Sequence, residues 1–351
     1  MKVLMVGVSK KNKGGMWTVV ENYINSEKLN NEVNLTYIPT VTKTNKLFKL
    51  FYSFFAILKV KKTIKKDHMD VLHINMSERG SVYRTGVLID IAHKYGCKAI
   101  IHMHGAEFQT WYEDLPKLKQ EKVKKIMNSS DSIMILGNYW RKFVETLVDD
   151  GKKIKVLYNA VTLPTIYKYN NSSKSILYLG LVGKRKGIFD LIEAVSQLKK
   201  EKFNFNLIVY GPDETAGIEE IIKSKELEDY IHYKGWLENS RKKEVFSSVK
   251  ANILPSYNEG LPMTILETMS YGIPNITTPV AAIPEVVNQS NGFIVMPGNI
   301  EQIKKAVKEV IINNQTNRSK KCRETIKNNF SLESHINKLL SIYRETIGRG
   351  K

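Results

Sequence analysis

The stretch "SILYLGLVGKRKGIFDLIEAVSQL", residues 175–198, places a short apolar run, a loop of glycines and cations, and an amphipathic segment of helical length in succession. Gly180 ends the run, and Lys184, Arg185 and Lys186 stand just before Gly187 and the helical segment. Strand, loop and helix in this order form the repeating unit of a parallel sheet covered by helices. In such sheets ligands sit beyond the carboxyl ends of the strands, so a basic loop at that end suits a diphosphate, with lysine acting as a compact point charge. A solvated basic loop is the plainer reading of the same residues.

The unit recurs in both directions along the chain. Downstream come "NLIVYG" (206–211), "IHYKGW" (231–236), "ANILPS" (251–256), "PNITT" (274–278) and "GFIVMP" (292–297). Upstream are "KVLMVGVS" (2–9), "VNLTYIPT" (33–40), "VLHINM" (71–76), "KAIIHMHG" (98–105), "SIMILG" (132–137) and "KIKVLYNAV" (153–161). The polar stretch "YKYNNSSK" (167–174) interrupts the alternation and reads as a linker. The expectation is therefore an α/β chain with two Rossmann-like, doubly wound domains facing a central cleft. These are residues 1–166 and 175–328. The segment 329–351 is a closing helix, and whether it returns to the first domain stays open.

A chain of 351 residues exceeds what one core usually serves, which agrees with two domains. No apolar run reaches the roughly 18 to 20 residues that cross a bilayer, and the first apolar run is too short for a signal peptide. A cytoplasmic protein is expected. Cys97 and Cys322 are far apart, with no CxxC or Cys/His cluster, so they read as inert core thiols rather than a disulfide or zinc site. The formal net charge of +19 favours polyanions. With no zinc finger, RRM-like aromatic motif or arginine-rich stretch, nucleic acid is not the expected partner. A membrane surface and a phosphate-bearing substrate fit better.

Three further stretches carry candidate chemistry. In "KKNKGGMWTVVENYI" (10–24), Gly14 and Gly15 follow the first strand and open a helix, where backbone N–H groups and the helix dipole favour phosphate. The spacing is neither GxGxxG nor a P-loop, and an ordinary tight turn would look the same. At "YGPDE" (210–214) and "YKGWL" (233–237), Gly211 permits close approach and Trp236 could flank a base or simply pack. In "NEGLPMTILETMSYGIP" (258–274), Leu261 and Pro262 suit the first turn of a helix, with the amides of Gly260 through Met263 turned toward a phosphate or sugar hydroxyl. Glu267, about two turns in, could accept from a ribose diol, and Glu259 on the lip could reach a sugar ring. Alternatively Glu259 caps the helix and Glu267 lies on its solvated face.

Taken with "HGAEF" (104–108), "NAV" (159–161), "LGLVGKRKG", "YGP", "KGWL" and Glu259-x7-Glu267 followed by "MSYGIPNITTPVAAIPEVVNQSNGFIV" (269–295), the sequence resembles the retaining nucleotide-sugar glycosyltransferases of family 4, of the GT-B fold. The matches span nearly the whole chain and are most specific from 251 to 298. The resemblance implies that Glu259 contacts the donor sugar, Glu267 the ribose, and Lys186 with the Gly14 and Gly15 amides the diphosphate. It also implies that His104 supports positive charge at the anomeric carbon, while His102 stays structural. No metal or other cofactor is implied, and no Asp-x-Asp follows a strand. The implied reaction moves a sugar from a nucleoside diphosphate sugar, UDP favoured over GDP, to a lipid-linked or oligosaccharide acceptor in bacterial capsule, exopolysaccharide or O-antigen synthesis.

One departure stands out. Leu181 occupies the place where family members carry a diphosphate-clamping arginine, and leucine donates no hydrogen bond. Lys184, Arg185 and the lysines at 10, 11 and 13 are the compensating candidates, and a catalytically silent subunit partnering an active transferase is the alternative. Finally, "KTNKLFKLFYSFFAILKVKKTIKK" (43–66) combines eight lysines with many large apolar residues. It reads either as an amphipathic helix lying on an anionic membrane or as a core helix with a solvated lysine face.

Overall fold

The computed structural model describes residues 1–12 and 14–348. Lys13, one of the lysines expected to assist at the diphosphate, lies outside the described residues. All twelve expected strands form. The first six are β1 (Lys2–Val8), β2 (Asn34–Val41), β3 (Val71–Met76), β4 (Lys98–Met103), β5 (Ser132–Ile135) and β6 (Ile154–Val156). The second six are β7 (Ser175–Leu179), β8 (Asn206–Tyr210), β9 (Ile231–Tyr233), β10 (Ala251–Leu254), β11 (Asn275–Thr277) and β12 (Gly292–Ile294). Most end a residue or more before the sequence pattern does, and the run from 153 to 161 pairs only over β6.

The chain divides into two compact units, residues 1–159 with 332–351 and residues 160–331. The first holds a six-stranded sheet in the order β2-β1-β3-β4-β5-β6, the second one in the order β12-β11-β10-β7-β8-β9. Every pairing is parallel. Strands covered on both faces are mostly apolar, and β3, β5 and β10 are buried at every residue, their His73, Asn75, Ser132 and Asn252 held by hydrogen bonds. In the second unit the strand order reverses between β7 and β10, and in the first between β1 and β3. The loops leaving those strands therefore start side by side at the switch points where open α/β sheets hold ligands.

The unit boundaries differ from the sequence expectation at residues 160–174, which join the second unit, and they place the closing helix, whose return the sequence leaves open. The stretch 167–174 packs with the second unit, because the Tyr169 hydroxyl donates to the Lys250 carbonyl at 2.9 Å and Ser173 Oγ to the Ser248 carbonyl at 2.7 Å. The closing helix, Leu332–Thr346, belongs to the first unit. It is tied there by His335 Nδ1 to the Tyr158 carbonyl at 2.7 Å and by Arg344 to Glu32 at 2.8 Å.

Candidate functional site

In the second unit the loops after β7 and β10 are stitched together. The Tyr257 amide donates to the Arg185 carbonyl at 2.9 Å, and Arg185 Nη1 donates to the Asn258 carbonyl at 2.8 Å. Gly187 is required at this seam, since it sits at φ 72° and a Cβ there would stand 2.1 Å from the Pro255 carbonyl oxygen. On this seam Lys186 Nζ forms an ion pair with Glu259 Oε1, and Ser256 Oγ donates to the same oxygen at 2.7 Å. Burial holds the Lys186 ammonium below its ordinary value, while Glu259 opposes that shift. Both side chains are largely buried, so removal of either partner leaves an uncompensated charge, at a cost of about 3–5 kcal/mol. Glu259 was expected on the lip of the loop; it is instead buried against Lys186 and Ser256.

The helix after the loop is Met263–Ser270, with Pro262 at its N-cap and no side-chain cap. Its first amides have no intrahelical acceptor by construction and are the phosphate-binding groups a helix start offers. Pro262 thus lies one position outside the helix rather than in its first turn, and Glu267 is just over one turn in rather than two. The helix is fixed from below by a buried amide and hydroxyl set in which Asn252 Nδ2 donates to Asn275 Oδ1 at 2.7 Å and Asn275 Nδ2 to Thr268 Oγ1 at 3.1 Å. Arg323 caps its far end on the Ser270 carbonyl at 2.6 Å. Glu267 Oε1 pairs with Lys242 Nζ at 2.8 Å, so the solvated-face alternative for Glu267 fails, and Lys242 is a site neighbour that no motif marked.

Gly211 follows β8 at φ 146°, and a Cβ there would stand 1.6 Å from the Gly180 carbonyl oxygen. Glycine is obligatory where these two strand ends close on each other. Trp236, just after β9, is 40% exposed, a surface ring rather than a core one. Leu181 is half-buried, and its carbonyl accepts from the Tyr178 hydroxyl at 2.7 Å. The structure thus brings Lys186, Glu259, Gly260, Leu261, Pro262 and Met263 to one switch point, with Arg185 beside them. Gly211 adjoins it through the Gly180 carbonyl, and Glu267 sits on the helix that leaves it.

Gly14, Gly15 and His104 belong to the first unit. Gly14 is the N-cap of helix Gly15–Ile24 at φ 144°, with no side-chain cap. His104 follows β4, its amide donating to the Met76 carbonyl at 2.8 Å. Its Nε2 lies 2.9 Å from Asn75 Oδ1, and Asn75 Nδ2 already donates to the Val6 carbonyl at 3.0 Å. Asn75 Oδ1 can only accept, so His104 carries its proton on Nε2 and presents a lone pair on Nδ1. Burial lowers its pKa to about 3, which keeps the ring neutral and makes it a dipolar contact rather than an acid. Behind it lies a buried ring cluster. His102 and His104 have centroids 4.1 Å apart, His73 Nε2 is 3.2 Å from His102 Nδ1, and His73 Nδ1 is 2.6 Å from the Tyr343 hydroxyl. Tyr23 joins the same region by its hydroxyl, 2.7 Å from His335 Nε2. His102 is fully buried, and its Nε2 has no hydrogen-bond partner among the described residues. Among the described residues no group of His, Cys, Asp and Glu is arranged to hold a metal ion.

Residues 163–330 match the family described as "Glycosyl transferases group 1". The second unit is a group 1 glycosyl transferase domain. Over its whole length the chain is similar to an uncharacterized 41.2 kDa protein in the cps region of Klebsiella pneumoniae, with 25% identity covering 97% of this chain and 99% of that one. It is also similar to the UDP-Gal:alpha-D-GlcNAc-diphosphoundecaprenol alpha-1,3-galactosyltransferase of Escherichia coli, 24% identical over 92% of this chain and 86% of that one. Among solved structures, sucrose-phosphate synthase from Thermosynechococcus elongatus superimposes with a TM-score of 0.83 at 15% identity, covering 99% of each chain. The glycosyltransferase fold is therefore GT-B, and the Lys186–Glu259 seam lies inside its group 1 domain.

Proposed function

We propose that this glycosyltransferase is a retaining, metal-independent enzyme that transfers a hexosyl group from a UDP-sugar to a lipid-linked glycan in capsule, exopolysaccharide or O-antigen synthesis. The observation that carries the reading is the buried Lys186–Glu259 pair at the β7/β10 switch point, beside the uncapped start of helix Met263–Ser270. The printed name of the Escherichia coli galactosyltransferase, with a UDP-sugar donor and a diphosphoundecaprenol acceptor, supports the substrate classes.

In this mechanism the leaving diphosphate is stabilised by the helix-start amides, Lys186 and Arg185, preorganised donors aimed at developing charge. Glu259 holds the donor sugar, and Glu267 holds the ribose with Lys242 as its counter-ion. His104, neutral and oriented by Asn75, is assigned to the sugar being transferred. The leaving phosphate itself takes the acceptor proton, so no side chain is assigned as general base. Lipid-linked acceptors place the work at the inner face of the plasma membrane.

The test is calorimetry with UDP, GDP and ADP on the full chain and on Glu267→Ala, followed by nucleotide release with UDP-sugars and an acceptor extract. Binding of UDP in preference to the others, weakened in the variant, and turnover lost in Glu259→Ala and Lys186→Ala are the expected results. Wild-type turnover in both variants would overturn the reading. The second reading, a silent subunit partnering an active transferase, rests on Leu181, which supplies no donor to a diphosphate. It takes over if no nucleotide binds and no donor is turned over.

A further inference from the structure

The helix Lys46–Asp67 packs on the edge strand β2, where Ser53 Oγ donates to the Thr40 carbonyl at 2.9 Å. Ala56, Val60 and Ile64, four residues apart, are buried and define its inward stripe. At about 100° per residue, Leu47, Phe51, Phe54, Phe55 and Leu58 fall on the opposite side, with Leu50 on its flank. These are exposed, Leu47 at 71%, Leu50 at 70% and Phe55 at 64%. The same outward side continues toward the C-terminal end as Lys61, Lys62, Lys65 and Lys66, all exposed and without an ion-pair partner among the described residues.

A helix that needed only to pack on β2 would be polar on its outward side. Here that side changes along its length from large apolar side chains to lysines, on a chain of net charge +19. An aqueous surface does not favour a contiguous apolar patch of this kind, and its basic continuation excludes a basic partner. Among the described residues no helix is long and apolar enough to cross a bilayer. We propose that the outward face of helix Lys46–Asp67 docks on an anionic lipid bilayer. Phe51, Phe54, Phe55 and the adjoining leucines enter the headgroup and acyl boundary, and Lys61, Lys62, Lys65 and Lys66 rest on the phosphates. The device lies in the first unit, apart from the donor seam, and stands or falls independently of the transferase reading.

The test is co-sedimentation of the full chain with phosphatidylcholine vesicles, with and without phosphatidylglycerol. Two variants are compared, Phe51→Ser/Phe54→Ser/Phe55→Ser and Lys61→Gln/Lys62→Gln/Lys65→Gln/Lys66→Gln. The parent chain is expected to bind the anionic vesicles and to be released by salt. The phenylalanine variant should bind at least about tenfold more weakly, and the lysine variant should lose about fivefold per lysine on anionic vesicles. All the altered positions are solvent-exposed, so both variants should keep the parent melting temperature and nucleotide affinity. Undiminished sedimentation of the phenylalanine variant, or no binding of the parent to anionic vesicles, would overturn the proposal. So would a lipid-free parent dimer that the phenylalanine variant turns into a monomer, since the face would then meet a second copy.

Discussion

Lowering the pH from 7 to 5 should destabilise the first unit by an amount set by its buried imidazoles. His73 and His102 are fully buried and His335 nearly so. Burial, the largest cause in each case, lowers His73 and His104 to about 3 and His335 to about 4, and holds His102 well below the ordinary range. The folded state therefore keeps His73, His104 and His335 neutral at pH 5, whereas the unfolded chain, with an ordinary histidine pKa of about 6.5, binds a proton on each. Stability is then complete above about pH 6.5 and is lost as pH falls toward the folded values. Linkage gives about 2 kcal/mol per histidine at pH 5, or about 6 kcal/mol for the three, comparable with the whole stability of many domains. The assay is urea unfolding at a series of pH values followed by tryptophan fluorescence, with Trp17, Trp111 and Trp140 all in the first unit. Below pH 6 the slope should approach about 4 kcal/mol per pH unit. An unfolding free energy that is level between pH 7 and 5 would refute neutral burial of this cluster.

Other outcomes follow from single contacts. Gly211→Ala puts a methyl 1.6 Å from the Gly180 oxygen and Gly187→Ala one 2.1 Å from the Pro255 oxygen; each should cost about 3 kcal/mol or more in denaturant unfolding and abolish UDP binding. Lys186→Met and Glu259→Gln should each destabilise the second unit by about 3–5 kcal/mol in urea unfolding, because each leaves the other charge buried and unpaired, and parent-like stability of either variant would count against the pairing. Cys97, its thiol pushed up to about 12 mainly by burial, and the buried Cys322 should resist a thiol reagent at neutral pH until the chain is unfolded, when both react. Asn75→Leu should lower turnover roughly tenfold by releasing the His104 ring, with nucleotide affinity unchanged in calorimetry.

Much of this was legible in the residues because it is local. Apolar runs alternating with helical segments specify β1 to β12, since a strand buried on both faces has to be mostly apolar. Gly187, Gly211 and the uncapped helix after Pro262 are local backbone requirements and were visible as glycine and proline. The pairing of Lys186 with Glu259 was not legible, because they are 73 positions apart and meet only when β10 lies next to β7. Likewise Lys242, at the start of helix Lys242–Ser248, reaches Glu267 only after that helix and Met263–Ser270 are laid on the sheet, and no spacing rule marks it.

The sequence by itself determined the fold class, the two sheets and the glycine- and proline-bearing loops at the strand ends, because these follow from periodicity and from residues with special backbone freedom. Only the tertiary structure decided which charges neutralise each other and which hydroxyl or amide orients each ring. It also returned the closing helix to the first unit and turned one side of helix Lys46–Asp67 outward with its phenylalanines uncovered. Those outcomes depend on strand order and on burial, which set distance and solvation between residues that the chain keeps far apart.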